Sequence, residues 1–123
     1  MDTLNVTINI NGTHDGVTFT ESGSFSANVR AVSKLTADVT NSFRTISLGQ
    51  HSFVFAIITN TGDDDALVFF GRLTVGVPIG KSIVISGSTA EDVSGTKAYA
   101  EALSITARSK KSAGTRLRAL IGY

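Results

Sequence analysis

Phe53-Val54-Phe55-Ala56-Ile57-Ile58 and Ala66-Leu67-Val68-Phe69-Phe70, linked by Thr59 and the polar stretch Asn60-Thr61-Gly62-Asp63-Asp64-Asp65, decide the fold class. Both apolar runs are rich in aromatic and β-branched residues. They are too short for a buried helix and lack the polar alternation of a half-exposed strand, so each reads as a strand covered on both faces. The intervening Asn, Gly and Asp residues are turn formers. The pair therefore predicts a hairpin at the centre of an all-β fold.

Working outward, Leu4, Val6, Ile8 and Ile10 alternate with Asn5, Thr7, Asn9 and Asn11, the period-two signature of a half-buried strand. Asn11-Gly12 is the expected turn, extended by His14-Asp15-Gly16, with Val17 to Thr20 returning. Glu21-Ser22-Gly23-Ser24 reads as a second turn before a strand on Phe25, Ala27 and Val29. Residues 31–45 are ambiguous, with alternation favouring a strand over Leu35, Ala37 and Val39. Leu73, Val75 and Val77 alternate again. Pro78-Ile79-Gly80-Lys81 is a turn, and Ile83-Val84-Ile85 follows it. Any helix is expected between Ser88 and Ala102. Leu103, Ile105 and Ala107, then Leu117, Ala119, Ile121 and Tyr123, form two closing strands around the basic tip Ser109 to Gly114. The expected architecture is one domain over residues 1–123: an antiparallel β-sandwich, jelly-roll-like, of about eight to nine strands with at most one short helix. The expected core is Val6, Ile8, Phe19, Phe53, Phe55, Ile57, Leu67, Phe69, Val75, Ile83, Ile105 and Leu117.

Composition narrows the function classes. The 123 residues suit a single domain with a real core. There is no cysteine, which excludes disulfides and thiolate metal sites. Lys and Arg number 11 against 10 Asp and Glu, so no global field favours nucleic acid or a membrane surface. Met1-Asp2-Thr3-Leu4-Asn5 has no basic region followed by an apolar run, and no stretch has the length of a membrane span. The chain therefore reads as made and used in a cytoplasm. The N-x-T triplets at Asn5 and Asn11 read as strand and turn chemistry.

No catalytic pattern is legible. Gly76-Val77-Pro78-Ile79-Gly80-Lys81-Ser82 has one residue too few between its glycines for a phosphate loop, and a strand follows where a helix is needed. Asp63-Asp64-Asp65 reads as a solvated turn, because adjacent carboxylates cannot converge on one cation. His14 and His51 stand apart in loop-like contexts. Glu21, Asp38, Glu91, Asp92 and Glu101, the carboxylates open to general acid–base work, fall mostly in expected turns. The chain reads as no enzyme, with no catalytic residue, cofactor or metal. Arg108, Lys110, Lys111, Arg116 and Arg118 concentrate positive charge around one expected hairpin. They are the candidate interface, docking on acidic protein partners in preference to nucleic acid, since no aromatic platform for bases is interleaved with them.

One pattern runs from Ile46 to Gly87 and resumes from Leu103 to Tyr123. It comprises the strand Phe53 to Ile58 with Asn60-Thr61-Gly62, the strand Leu67-Val68-Phe69-Phe70-Gly71, and the turn Val77-Pro78-Ile79-Gly80-Lys81-Ser82 before Ile83-Val84-Ile85. A final strand ends in Gly122-Tyr123. This resembles the small β-sandwich virion proteins of tailed bacteriophages: accessory head, decoration and tail components. The resemblance implies a structural protein without catalytic residues that docks on other capsid or tail proteins and forms a homo-oligomer, a trimer being favoured, with the host cytoplasm during assembly and the virion thereafter as its expected localisation. The alternatives are a carbohydrate- or receptor-binding β-sandwich and a small shell-forming viral coat protein. Against the first stands the absence of Trp, with Tyr99 and Tyr123 the only tyrosines. A coat protein of the RNA-phage type would need amphipathic helices where Leu117 to Tyr123 alternates as a strand.

Overall fold

The computed structural model describes residues 2–48, 53–70, 73–86 and 104–123. Its first element is a long ribbon. β1 (Asp2–His14) and β2 (Val17–Val29) pair over their whole length around Asp15 and Gly16. Both turn residues have positive φ, 50° and 76°, as a type I′ turn requires. The turn is thus at Asp15-Gly16 and not at Asn11-Gly12. The observed register sets Val6 opposite Phe25 and Leu4 opposite Ala27. A turn at Asn11-Gly12 would instead put Leu4 opposite Phe19 and strand Phe25, Ala27 and Val29 without partners. For the same reason the expected turn at Glu21–Ser24 is absent: these residues continue the ladder opposite Ile10, Asn9, Ile8 and Thr7.

The remaining strands are β3 (Val32–Val39), β4 (Arg44–Leu48), β5 (Phe55–Asn60), β6 (Ala66–Phe70), β7 (Leu73–Val77), β8 (Ser82–Ser86), β9 (Ser104–Ser109) and β10 (Thr115–Gly122). They form two four-stranded sheets, a first of order β3-β10-β5-β8 and a second of order β4-β9-β6-β7. The pairs β6·β7, β5·β8, β4·β9 and β3·β10 are those of one long hairpin of chain. Rolling it up brings β10 against β5 and β9 against β6. That is a jelly roll, in which two sheets close over one core. The expected all-β sandwich is therefore observed, with ten strands and no helix among the described residues. The segment Ser88–Ala102 lies outside them, as does His51.

The two apolar runs that decide the fold are each central in a sheet, which explains why both their faces are apolar. They are not paired as a hairpin. β5 belongs to the first sheet and β6 to the second, and they face each other across the core. The inward positions are Ala56 and Ile58 on β5 and Ala66, Val68 and Phe70 on β6. Ile105, Ala107, Leu117, Ala119 and Ile121 meet them from β9 and β10, and the rings of Phe53 and Phe70 pack 5.6 Å apart. Of the expected core, Phe53, Ile105 and Leu117 are buried here. Ile57, Leu67 and Phe69 are half-buried on outer faces instead, one residue out of phase with the inward set, because an unbroken apolar run carries no phase information. Val75 and Ile83 pack against the core edge. Ile8 and Phe19, also expected inside, are exposed.

Phe55 is buried in a second cluster, on the outer face of the first sheet. There the root of the β1–β2 ribbon lays Ala27 and Val29 over it, with Leu4, Phe25, Val54, Ile57 and Leu120 around them. The ring also covers Gly122, its cross-strand partner on β10, where any Cβ would collide with the ring carbons. Truncation of Phe55 to Ala should cost about 3–5 kcal/mol in chemical denaturation, because it opens a cavity under the ribbon root. A loss below about 1 kcal/mol would show that the root is not packed on the sheet.

Candidate interaction surface

Strand alternation gives the β1–β2 ribbon two unlike faces. One carries Thr3, Asn5, Thr7, Asn9, Asn11 and Thr13 from β1 against Asn28, Ser26, Ser24, Ser22, Thr20 and Thr18 from β2. Cross-strand hydrogen bonds knit it: Thr3 donates to Asn28 at 3.0 Å, Ser26 donates to Asn5 at 2.8 Å, and the Thr13 and Thr18 hydroxyls lie 3.5 Å apart. The other face carries Leu4, Val6, Ile8 and Ile10 opposite Ala27, Phe25, Gly23 and Glu21, with Phe19 and Val17 further out. Its inner half packs on the body, as described. Its outer half is bare: Ile8 is 43% exposed, Ile10 61%, Val17 55% and Phe19 47%. Isolated exposed apolar residues are ordinary, but four on one face of a projecting arm form a patch of the kind that marks a contact site.

The same alternation orders the outer face of the first sheet. Lys34, Leu120, Ile57 and Val84 form one cross-strand row, and Thr36, Arg118, Thr59 and Ser82 the next. Between these rows lies an open depression of about 330 Å³ lined by Lys34, Ile57, Thr59, Arg118, Ala119 and Leu120. Arg116 is one step further along β10 and donates from Nε to Asp38 Oδ1 at 2.8 Å. That bond and the nearby guanidinium charge hold the Asp38 carboxyl below the usual carboxylate range, with Arg44 adding to the effect, and raise Arg116 in turn.

The five basic residues singled out in the sequence do not form one patch. β9 and β10 lie in opposite sheets, so the segment between them is a crossover and not a hairpin. Arg108 leaves the outer face of the second sheet and stacks 5.7 Å from the Phe43 ring, which in turn meets Phe69 edge-on at 4.8 Å. Lys110 and Lys111 are exposed on the crossover, while Arg116 and Arg118 leave the outer face of the first sheet. The charge concentration seen along the chain is thus divided among three directions. Lys34, far from Arg118 in sequence, is the residue that joins it at the depression.

The triple aspartate is also not a simple solvated turn. Asp64 is buried and its Oδ2 accepts the Lys111 N–H at 2.7 Å. Asp65 Oδ1 accepts the Ile79 N–H at 3.1 Å, and of the three only Asp63 is exposed. Beside them the buried Asn60 carboxamide uses every hydrogen-bonding position it has. Nδ2 donates to the carbonyls of Asp64 at 2.7 Å and Val77 at 2.9 Å. Oδ1 accepts from the Gly62 N–H at 3.1 Å and the Thr115 hydroxyl at 2.8 Å. The cluster fastens the β5–β6, β7–β8 and β9–β10 connections at one end of the sandwich. Its polar groups are saturated by each other, which suits a brace and not a reactive centre. Among the described residues no three His, Asp or Glu side chains gather as a metal site. Of the carboxylates considered for acid–base work, Glu21 and Asp38 lie within strands, and Glu91, Asp92 and Glu101 are outside the described residues.

No protein-family model, curated protein or solved structure matches the chain. The jelly roll is accordingly identified by strand order and register alone.

Two measurements check this geometry. The Asn60→Asp variant keeps the side-chain volume and both accepted bonds but replaces two donated bonds with a carboxylate facing two carbonyls. It should lose about 3–5 kcal/mol at neutral pH in urea denaturation. The Asp38 carboxyl, followed by NMR, should titrate below the ordinary carboxylate range and return toward it in Arg116→Gln. Because its folded-state pKa is depressed, the pair's contribution is present above the unfolded-state value and is lost as pH falls through the folded one. An unchanged midpoint in Arg116→Gln would show that the pair does not persist in solution.

Proposed function

We propose that the protein is a non-enzymatic structural component of a bacteriophage virion, a capsid-decorating, cement or head–tail accessory protein. It acts by self-association and by docking on other virion proteins. The observation that carries this reading is the pairing of a jelly-roll body with a projecting two-stranded arm whose outer half exposes Ile8, Ile10, Val17 and Phe19. Jelly rolls recur in viral shells, although that is an argument by analogy of fold. The arm adds a physical argument: an exposed apolar face gains free energy only when something covers it. A closed set of copies, a trimer being favoured, would let one modest contact act several times. The same observations favour a second reading, a shell-forming coat protein. The two differ in whether the purified protein closes into particles by itself.

The test is co-sedimentation with particles of the phage that encodes the chain, assembled without it. Added protein should bind at fixed stoichiometry. A variant carrying Ile10→Asp and Phe19→Asp, which leaves the ribbon root intact, should bind at least about tenfold more weakly. Absence of the chain from native particles, measured by mass spectrometry, would exclude the virion role.

A further inference from the structure

We infer that the outer half of the β1–β2 arm seats in the depression on the first sheet of a second copy of this chain, with Glu21 of one copy meeting Lys34 and Arg118 of the other. This inference rests on the assembly role proposed above and names the surface that would serve it.

Three observations converge on a second copy as the occupant. The first is charge. The outer half of the arm's apolar face carries one acidic strand residue, Glu21, opposite Ile10 in the ladder and therefore among the exposed apolar residues. The depression offers the complement: apolar Ile57 and Leu120 flanked by two cations, Lys34 and Arg118. Among the described residues none of these three charged groups has an ion-pair partner, whereas the neighbouring Arg116 is bound to Asp38. The second is continuity. Ile57 and Leu120 are already contacts of the chain's own ribbon root, so the depression opens beside an interface in which this kind of ribbon lies on this sheet face. A second ribbon laid alongside would extend that layer and cover the sheet as the root covers Phe55. The third is reach. Residues 8–14 give the arm about 20 Å beyond its root at the rise of an extended strand, enough to cross to a neighbour. Each copy supplies one arm and receives one, so the contact joins unlike patches: it gives a reciprocal pair or a ring where the rotation between copies closes, and an open chain of copies where it does not.

Sedimentation equilibrium of the purified protein over a range of concentrations tests this. The parent should show a mass rising from 12.9 kDa to a multiple of it. Glu21→Lys and Arg118→Glu are both at exposed strand positions and should leave the circular dichroism spectrum unchanged. Each should weaken association at least about tenfold, and the two together should associate more tightly than either alone, because the swap restores opposite charges across the contact. Added salt should weaken the parent, since the pair is exposed to screening. A parent that stays monomeric up to about millimolar concentration overturns the inference, as does a double variant no better than the single ones. If the monomeric protein still binds phage particles through its arm, the occupant is another virion protein, and the virion reading survives without this contact. If the chain oligomerises as described but is absent from particles, the contact stands and the virion reading falls.

Discussion

The Asn60 carboxamide ties together three connections at one end of the sandwich, where the strand ladders stop. Its two donated bonds reach the link before β6 and the end of β7, and its two accepted bonds come from Gly62 and from Thr115 at the start of β10. A jelly roll must carry its chain between sheets repeatedly at the same end, and those crossings leave backbone groups that neither sheet can pair. Asn60 and Asp64 supply the missing partners from inside. Gly62 permits the approach, since a Cβ there would overlap Thr115 and the Arg116 nitrogen. With that end fixed, the register of β10 between β3 and β5 follows. So does the orientation of Leu120, Arg118 and Arg116 toward the outside.

That outward orientation links packing to function. The first sheet is apolar on both faces at one end, where Phe55, Ile57 and Leu120 need a cover, and polar at the other, where Arg116 is matched by Asp38. The arm root covers part of the apolar end. The rest stays open beside Arg118 and Lys34. An isolated ribbon of two strands is only marginally stable in water, so the root contact anchors the arm as well as covering the sheet.

The sequence makes the fold class legible, and the strand alternation of β1, β7, β9 and β10 can be read directly. It does not disclose strand order. Consecutive apolar runs such as 53–58 and 66–70 suggest a hairpin because neighbours in sequence usually pair. Here the polar cluster between them turns the chain from one sheet to the other. The phase of those runs was equally hidden, since Ile57 and Ile58 are indistinguishable until a neighbour takes one face. The competing turn signals of Asn11-Gly12 and Asp15-Gly16 were decided by the partners they would create further along the ribbon. For the surface, local charge density pointed to residues 108–118, while the structure divides them and brings in Lys34 from β3. The exposed arm was the larger omission. Its alternation is that of a strand with one covered face, and only the length of the ribbon beyond the body reveals that the outer half has no cover within the chain.

The rolled-hairpin topology also fixes how much chain each pairing must close. β6·β7 joins Phe70 to Leu73, nearly adjacent in sequence, whereas β3·β10 joins Val32 to Gly122. Closing long loops is entropically expensive before any contact rewards it, so the outer pairings of the body carry a larger closure cost than its inner hairpin. The β1–β2 ribbon has the opposite character, with a tight turn and purely sequential pairing, and can form early. For a time after synthesis its whole apolar face, root included, is without the sheet meant to receive it. Over that interval the Thr, Ser and Asn residues of its reverse side are the polar face the ribbon presents to water.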